Sequence, residues 1–419
     1  MQKERIKVKP TIYKDKPIHV HEIEMFDGNI GIVKDTEFIK VFKSDDYNFY
    51  FNKIDGEFIR WGTGDYTKEP PKKVSKKQIE LYQLWTIFWG EDVGNFKDFV
   101  RDLETDGSVT NTVPEILDFE VSDKCAGVSM AGGKASPCKF CYKSNNNNGS
   151  YMTTEDFTKV MDKMPKSLCQ IALGIGNVDQ PNLFDLMDVC IHRGIVPNLT
   201  LNGDRMTDEI CDKLSERCGA VAVSYYDKDL TFNSIYELAT VRKMSQINIH
   251  YFLSEETYEQ GLQLIDDVQN DPRTKDLNAI VFLSAKIRGN AEKNNYHILS
   301  QDKYNIISQK ALHIDVAVGM DSCSAFKTLI SFKDEPNFDS LQNMIESCES
   351  TIYSTYINKK GIFFPCSFAQ GIGDWSEGIN VLECNNFLKD VWHNEKTRKF
   401  SCEVVNCRNQ CKSCAIFEI

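Results

Sequence analysis

The sequence predicts an α/β protein: an open, partial (β/α)6 barrel with a β-rich module before it and a small cysteine-rich segment after it. Three observations carry this. From Glu115 onward, apolar β-branched runs alternate six times with helical patterns. The first 64 residues read as strands with a period of two and contain a hairpin signal. Seven of the fifteen cysteines crowd between Cys348 and Cys414, in a stretch otherwise rich in Gly, Asn and Ser. Domain bounds follow at 1–110, 111–320 and 321–419.

In chain order, Tyr47–Trp61 is two aromatic and β-branched runs joined at Asp55-Gly56, which predicts a β-hairpin. The Pro- and Lys-rich stretch Lys68–Lys73 breaks the pattern, and helices are expected near Lys76–Trp89 and Asn95–Glu104. Strands are then expected at Ile116–Val121, Gln170–Leu173, Val196–Leu201, Ala220–Ser224, Ile247–Leu253 and Ala279–Ser284. Helical patterns separate them, at Thr154–Lys163, Leu183–His192, Asp208–Glu216 and Ser234–Lys243, with Thr153 as an N-cap. Strands joined by helical crossovers make a parallel sheet, and its ligand site lies at the C-terminal strand ends. After about residue 320 the alternation stops, and the closing segment is expected to be built around metal rather than an apolar core.

A formal net charge of −12 over 419 residues argues against a broad nucleic-acid surface. No apolar run follows the Lys-rich start, and Ile79–Gly90 is too short to span a bilayer, so a cytoplasmic protein without a membrane partner is expected. In a reducing compartment fifteen cysteines are not a disulfide framework. Cys169, Cys190, Cys211 and Cys218 stand singly in apolar or helical patterns and read as small core residues.

The first strand leads into Cys125, a glycine-bearing loop with Gly127, Gly132 and Gly133, and then Pro137-Cys138-Lys139-Phe140-Cys141. Three thiolates on a four-iron cluster leave one iron open for chemistry. A lone Cys-x2-Cys also suits zinc, but its place after strand one of a βα array favours the cluster.

Here the sequence resembles the radical S-adenosylmethionine (SAM) superfamily, whose partial TIM-like barrel carries Cys-x3-Cys-x2-Cys with an aromatic residue before the last cysteine. Phe140 fills that place, and Cys138-x2-Cys141 keeps the second spacing. Cys125 and Cys138 enclose twelve residues instead of three, a lengthened loop. The resemblance implies reductive cleavage of SAM to a 5′-deoxyadenosyl radical that abstracts hydrogen from substrate, with electrons from a flavodoxin- or ferredoxin-type donor. It also implies a SAM-binding turn at Gly174-Ile175-Gly176-Asn177, which keeps the glycines of the family turn but lacks its acid. Asn202 and Ser224 stand where polar strand ends contact the ribose. His250 is either pocket-lining or a core histidine.

Farther on, Cys348-x12-Gly361-x4-Cys366 resembles the opening hairpin of SPASM and twitch domains, with its turn at Asn358–Gly361. The chain closes with Cys402-x4-Cys407-x3-Cys411-x2-Cys414. The twitch pattern implies one auxiliary [4Fe–4S] cluster on Cys348, Cys366, Cys411 and Cys414, leaving Cys402 and Cys407 unassigned. Between core and tail, Asp321 and Cys323 follow an apolar run and are candidates to move a proton or hydrogen atom at the substrate. The resemblance implies a peptide substrate of the kind modified after translation, or else a small molecule, as in twitch-type dehydrogenases and cofactor synthesis. From a different class, a zinc-stabilised binding protein uses the same cysteines without SAM.

Overall fold

The computed structural model describes residues 16–64, 67, 69–105, 111–129, 134–409 and 414–417. Gly132, Gly133 and Cys411 lie outside them.

Five antiparallel strands form the first sheet, in the order β1 (His19–Glu24), β2 (Ile30–Asp35), β3 (Ile39–Lys43), β4 (Tyr47–Asn52) and β5 (Phe58–Gly62). The β4–β5 turn is the one read at Asp55-Gly56. Gly56 takes φ +77°, a conformation a Cβ would oppose. Two helices cover this sheet, α1 (Lys76–Trp89) and α2 (Phe96–Asp102). Ser75 and Gln78 cap α1 reciprocally. Val41, Tyr50 and Trp61 pack against Leu84, Trp85 and Phe99, with Trp61 edge-on to Trp85 at 4.6 Å. The opposite face, including Val33, Phe42, Phe49 and Phe51, belongs to the main core, so the accessory sheet is buried on both sides.

The second sheet starts with parallel strands β6 (Ile116–Glu120), β7 (Gln170–Gly174), β8 (Val196–Leu201), β9 (Val221–Ser224), β10 (Ile247–Leu253), β11 (Ala279–Ser284) and β12 (Ala317–Met320). The crossover helices include α3 (Thr154–Met161), α4 (Leu183–His192), α5 (Asp208–Arg217), α6 (Lys228–Ile235), α7 (Tyr258–Asn270), α8 (Asn290–Lys293) and α9 (Gln301–Ala311). Thr153 caps α3, accepting from the Asp156 N–H at 3.1 Å. The expectation of six strands is one short. β12 also pairs in parallel with β11, and its four residues include Gly319, too weak a pattern to read as a strand. Ser234–Lys243, read as one helix, is the end of α6 followed by a π-helical turn at Tyr236–Val241.

Beyond α10 (Ala325–Phe332) and α11 (Phe338–Gln342), the closing segment returns to this sheet. β13 (Ser354–Ile357) pairs in parallel with β6, β14 (Ile362–Phe364) folds back on β13, and β15 (Ile379–Asn380) adds to β14. The β13–β14 turn is Asn358–Gly361, with Gly361 at φ +73°. Helix α12 (Glu395–Asn409) follows. Contrary to expectation this segment has apolar support: Phe363, Trp375, Phe387, Val391 and Trp392 are buried in the main core. Cys169, Cys190, Cys211 and Cys384 are buried there too.

Parallel strands covered on both faces read as continuous apolar runs; here they alternate. Leu117, Phe119, Ile171, Leu173, Leu199, Ile249 and Phe282 are buried on one face. On the other, Asp118, Gly174 and Thr200 are exposed, and Ser224, His250 and Phe252 half-buried. One face of the sheet is therefore open at the C-terminal ends of β6 to β10.

Candidate active site

Cys125 lies five residues beyond the end of β6. Its loop is held on both sides by Asn177: Oδ1 accepts the Ala126 N–H at 2.8 Å, and Nδ2 donates to the Gly127 carbonyl at 2.9 Å. Asn202, buried at the end of β8, points its amide at the carbonyls of Gly127 and Gly176, 3.5 Å from each. Gly176 is needed for close approach: a Cβ there would stand 2.0 Å from the Lys124 carbonyl oxygen and 2.8 Å from the Cys125 Cα. Gly174, by contrast, meets nothing nearer than 3.3 Å and faces the open side.

The Cys138–Cys141 turn is anchored from β9, β10 and α8. Phe140 lies parallel to Tyr226 at 5.4 Å and to Phe252 at 4.6 Å, with Tyr296 edge-on. Asn290 donates its backbone N–H to the Cys141 carbonyl at 2.8 Å and its amide to the Cys138 carbonyl at 3.0 Å. Cys138 Sγ lies 3.1 Å from the Tyr226 hydroxyl. Burial pushes the Cys138 thiol up to about 11 and raises Cys125, and the neighbouring Cys141 adds to both. The three thiols thus sit within one another's field at the open strand ends. Ser224 closes β9 opposite His250, and burial holds His250 neutral, down to about 4.

Of the second expected group, Cys348, Cys366 and Cys414 lie among the described residues and Cys411 outside them. Burial raises the Cys323 thiol; Lys286 opposes, while Asp321, Cys348 and Cys414 raise it further. Burial pushes Cys366 up to about 12, again with Cys348 and Cys414 as neighbours. Cys323 and Cys366 thus each feel Cys348 and Cys414. Cys414 Sγ accepts the N–H groups of Ile416 and Phe417, each at 3.4 Å. Asp321 is tied to the buried Lys286 ammonium and accepts from Ser324 Oγ at 2.6 Å, so both its oxygens are engaged. Cys402 and Cys407 sit on α12, the former exposed.

A polar clasp joins the two groups. Lys143, two residues after Cys141, reaches Tyr356 of β13, Gln370 at 2.8 Å and Glu120 at 3.4 Å. Among the described residues the Asp118 side chain has no hydrogen bond or ion pair; it stands on the open face near Tyr142, Tyr356 and Glu349. Sequence reasoning did not single out Asn177, Tyr226, Lys286, Asn290 or Asp118. Only Asn177 carried a signal, its place beside the glycine turn.

No family model matches the sequence, and no curated protein matches it. Among solved structures, Streptococcus suis SuiB bound to the precursor peptide SuiA aligns with a TM-score of 0.52 at 13% identity, over 85% of this chain and 89% of SuiB. SuiB bound to S-adenosylmethionine aligns with a TM-score of 0.50 at 14% identity and the same coverage. The chain shares the fold of SuiB. The thiols of both groups are half-buried. Among the described residues, no three His, Cys, Asp or Glu side chains are drawn together tightly enough to hold a metal ion. No helix among them is long and apolar enough to cross a membrane.

Proposed function

We propose that this chain is a radical SAM enzyme acting on a peptide. Its SAM cluster is held by Cys125, Cys138 and Cys141. The observation that supports the reading is that Asn177 of the Gly174–Asn177 turn holds the loop after Cys125, while Asn290 holds the carbonyls of Cys138 and Cys141. A four-iron cluster held by these three thiolates would keep one iron open and would supply the one-electron reduction of SAM. The protein's own part is placement. Gly176 lets the turn approach Cys125, Asn177 and Asn202 pin the loop, and Phe140 locks the Cys-x2-Cys turn into an aromatic stack. Gly174 and Ser224 line the open face as SAM contacts, with Asn202 fixing the loop behind them.

For the auxiliary site the reading shifts one ligand: Cys323 joins Cys348, Cys366 and Cys414, in place of a catalytic role. Asp321, held by Lys286, orients that site. SuiB in complex with SuiA supports a peptide substrate, and β1, paired among the described residues only with β2, offers an edge for strand addition.

The test is 5′-deoxyadenosine formation by anaerobically reconstituted protein given SAM and dithionite, alongside iron content. Wild type should carry about eight irons, as two four-iron clusters require, and turn over. Cys138→Ala should not form 5′-deoxyadenosine. Cys323→Ser should lose the second cluster's EPR signal while Cys402→Ser keeps it. Bound zinc without iron and without 5′-deoxyadenosine would sink the proposal in favour of a zinc-stabilised binding protein.

A further inference from the structure

At the middle of β6, Asp118 sets a carboxylate on the open face that, among the described residues, has neither a hydrogen bond nor an ion pair. Cations of this region are engaged elsewhere: Arg60 by Glu115 and Glu349, and Lys143 by Glu120 and Gln370. The charged neighbour that acts on Asp118 is another carboxylate, Glu349, so burial and Glu349 both disfavour its ionised form.

The register of the sheet keeps this carboxylate uncovered. Asp118 stands opposite Ala172 on β7 and Tyr356 on β13. Ala172 offers only a methyl group, and the Tyr356 hydroxyl is turned to Glu120, donating to it at 3.0 Å. Asp118 is exposed, while Leu117 and Phe119 on either side of it are fully buried on the other face. Glu120 pairs with Gly174, so Asp118 lies two residues, about 6–7 Å, deeper along the strand than the Gly174 turn. A guest held at the strand ends reaches it only through a long side chain. An ionised carboxylate is acceptor-only, so the guest must bring donors, and charged donors make the stronger bond. Lysine meets both demands, with a compact ammonium of three donors on a flexible four-carbon stem.

We propose that Asp118 is a specificity-determining residue that receives the ammonium of a lysine side chain in the peptide substrate. The inference rests on the peptide reading above for its substrate class and adds the residue that the peptide must carry.

The experiment is saturation-transfer NMR on the anaerobically reconstituted full chain, before and after addition of SAM, with Nα-acetyl-lysine methylamide and its neutral analogue Nα-acetyl-norleucine methylamide. The lysine compound should bind roughly tenfold more tightly or better, the worth of one charge-assisted hydrogen bond. Asp118→Asn should remove that preference. Ala172→Leu, which keeps the carboxylate but covers it, should weaken the lysine compound by about tenfold. Glu120→Gln should keep the preference, because its carboxylate is already engaged. Equal binding of the two compounds, a preference unchanged in Asp118→Asn or Ala172→Leu, or one lost equally in Glu120→Gln overturns the assignment. Displacement of the lysine compound by SAM overturns it too. No turnover is involved, so a missing preference with intact 5′-deoxyadenosine formation removes this inference alone. A preference without 5′-deoxyadenosine removes only the enzyme reading.

Discussion

Replacing Gly176 with alanine should disable the SAM site through one methyl group. The new Cβ would lie 2.0 Å from the Lys124 carbonyl oxygen and 2.8 Å from both Cα and Cβ of Cys125. Real contacts of this kind stop at about 3.0 Å, so the Cys125 backbone must retreat by about 1 Å. No flexible side chain is available to yield instead. Gly176 has no positive φ, so the effect is steric and not one of backbone strain. Overpacking of this sort costs about 1–3 kcal/mol, and a 1 Å misplacement of reacting groups costs about a hundredfold in rate. Gly174→Ala is the control. Its nearest neighbours stand at 3.3 and 3.4 Å, and its methyl projects to the open face, so it should raise the KM for SAM without loss of iron. The assay is 5′-deoxyadenosine formation with EPR of the reduced SAM cluster. The reasoning is refuted if Gly176→Ala retains full iron and full cleavage, or if both variants lose iron alike.

Other substitutions probe the scaffold. Arg60 joins the fully buried Glu115 at 2.6 Å and Glu349 at 3.2 Å, and burial pushes the Glu115 carboxyl up to about 8 despite the guanidinium. Arg60→Met should therefore leave Glu115 protonated and cost about 1–3 kcal/mol by urea denaturation, the cost of a buried polar group without its partner. The loss should shrink in a Glu115→Leu background, where no such group remains. Asp118 is enclosed by protein although water reaches it along the open face, and burial with nearby Glu349 raises its carboxyl to about 6. The native state then holds the proton more tightly than the unfolded chain, so this contribution is present below pH 4 and fades as pH rises to 6. Asp118→Asn should flatten that slope in thermal melts between pH 4 and 7 and raise relative stability at pH 7. Phe140→Leu removes two parallel ring contacts worth about 0.5–1.5 kcal/mol each. It should speed amide exchange at Cys138–Ser144 while leaving α3 and α4 protected.

Much of the fold was legible because local signals and packing agree. β8, β10 and β11 end where their alternation ends, and α1 spans the residues read from its pattern, with Ser75 capping it. That Cys125 follows the first strand of the parallel sheet was legible from the apolar run before it. The hairpin between Cys348 and Cys366 was legible from its Asn358–Gly361 turn, whereas the Lys286–Asp321 pair joins residues 35 apart, which no local pattern encodes. Cys402 and Cys407, left unassigned by spacing, stand on α12, where five residues turn the two side chains about 140° apart. The open face was foreshadowed by polar residues within β6, β9 and β10, each weak alone.

The pairing of β13 with β6 has a consequence for biogenesis. Ile357 lies opposite Phe119 across the sheet, so β6 is left with a bare edge until the ribosome has released more than half the chain after it. At about 5–20 residues per second, that interval lasts about 12–48 s. Throughout it, an apolar strand edge next to the Cys125 loop is open to chaperones and to mispairing with other nascent chains. A truncation that ends after β12 would make that exposure permanent. Shortened versions should therefore collect in inclusion bodies, and fusions that delay release of the last 70 residues should lower the yield of soluble protein.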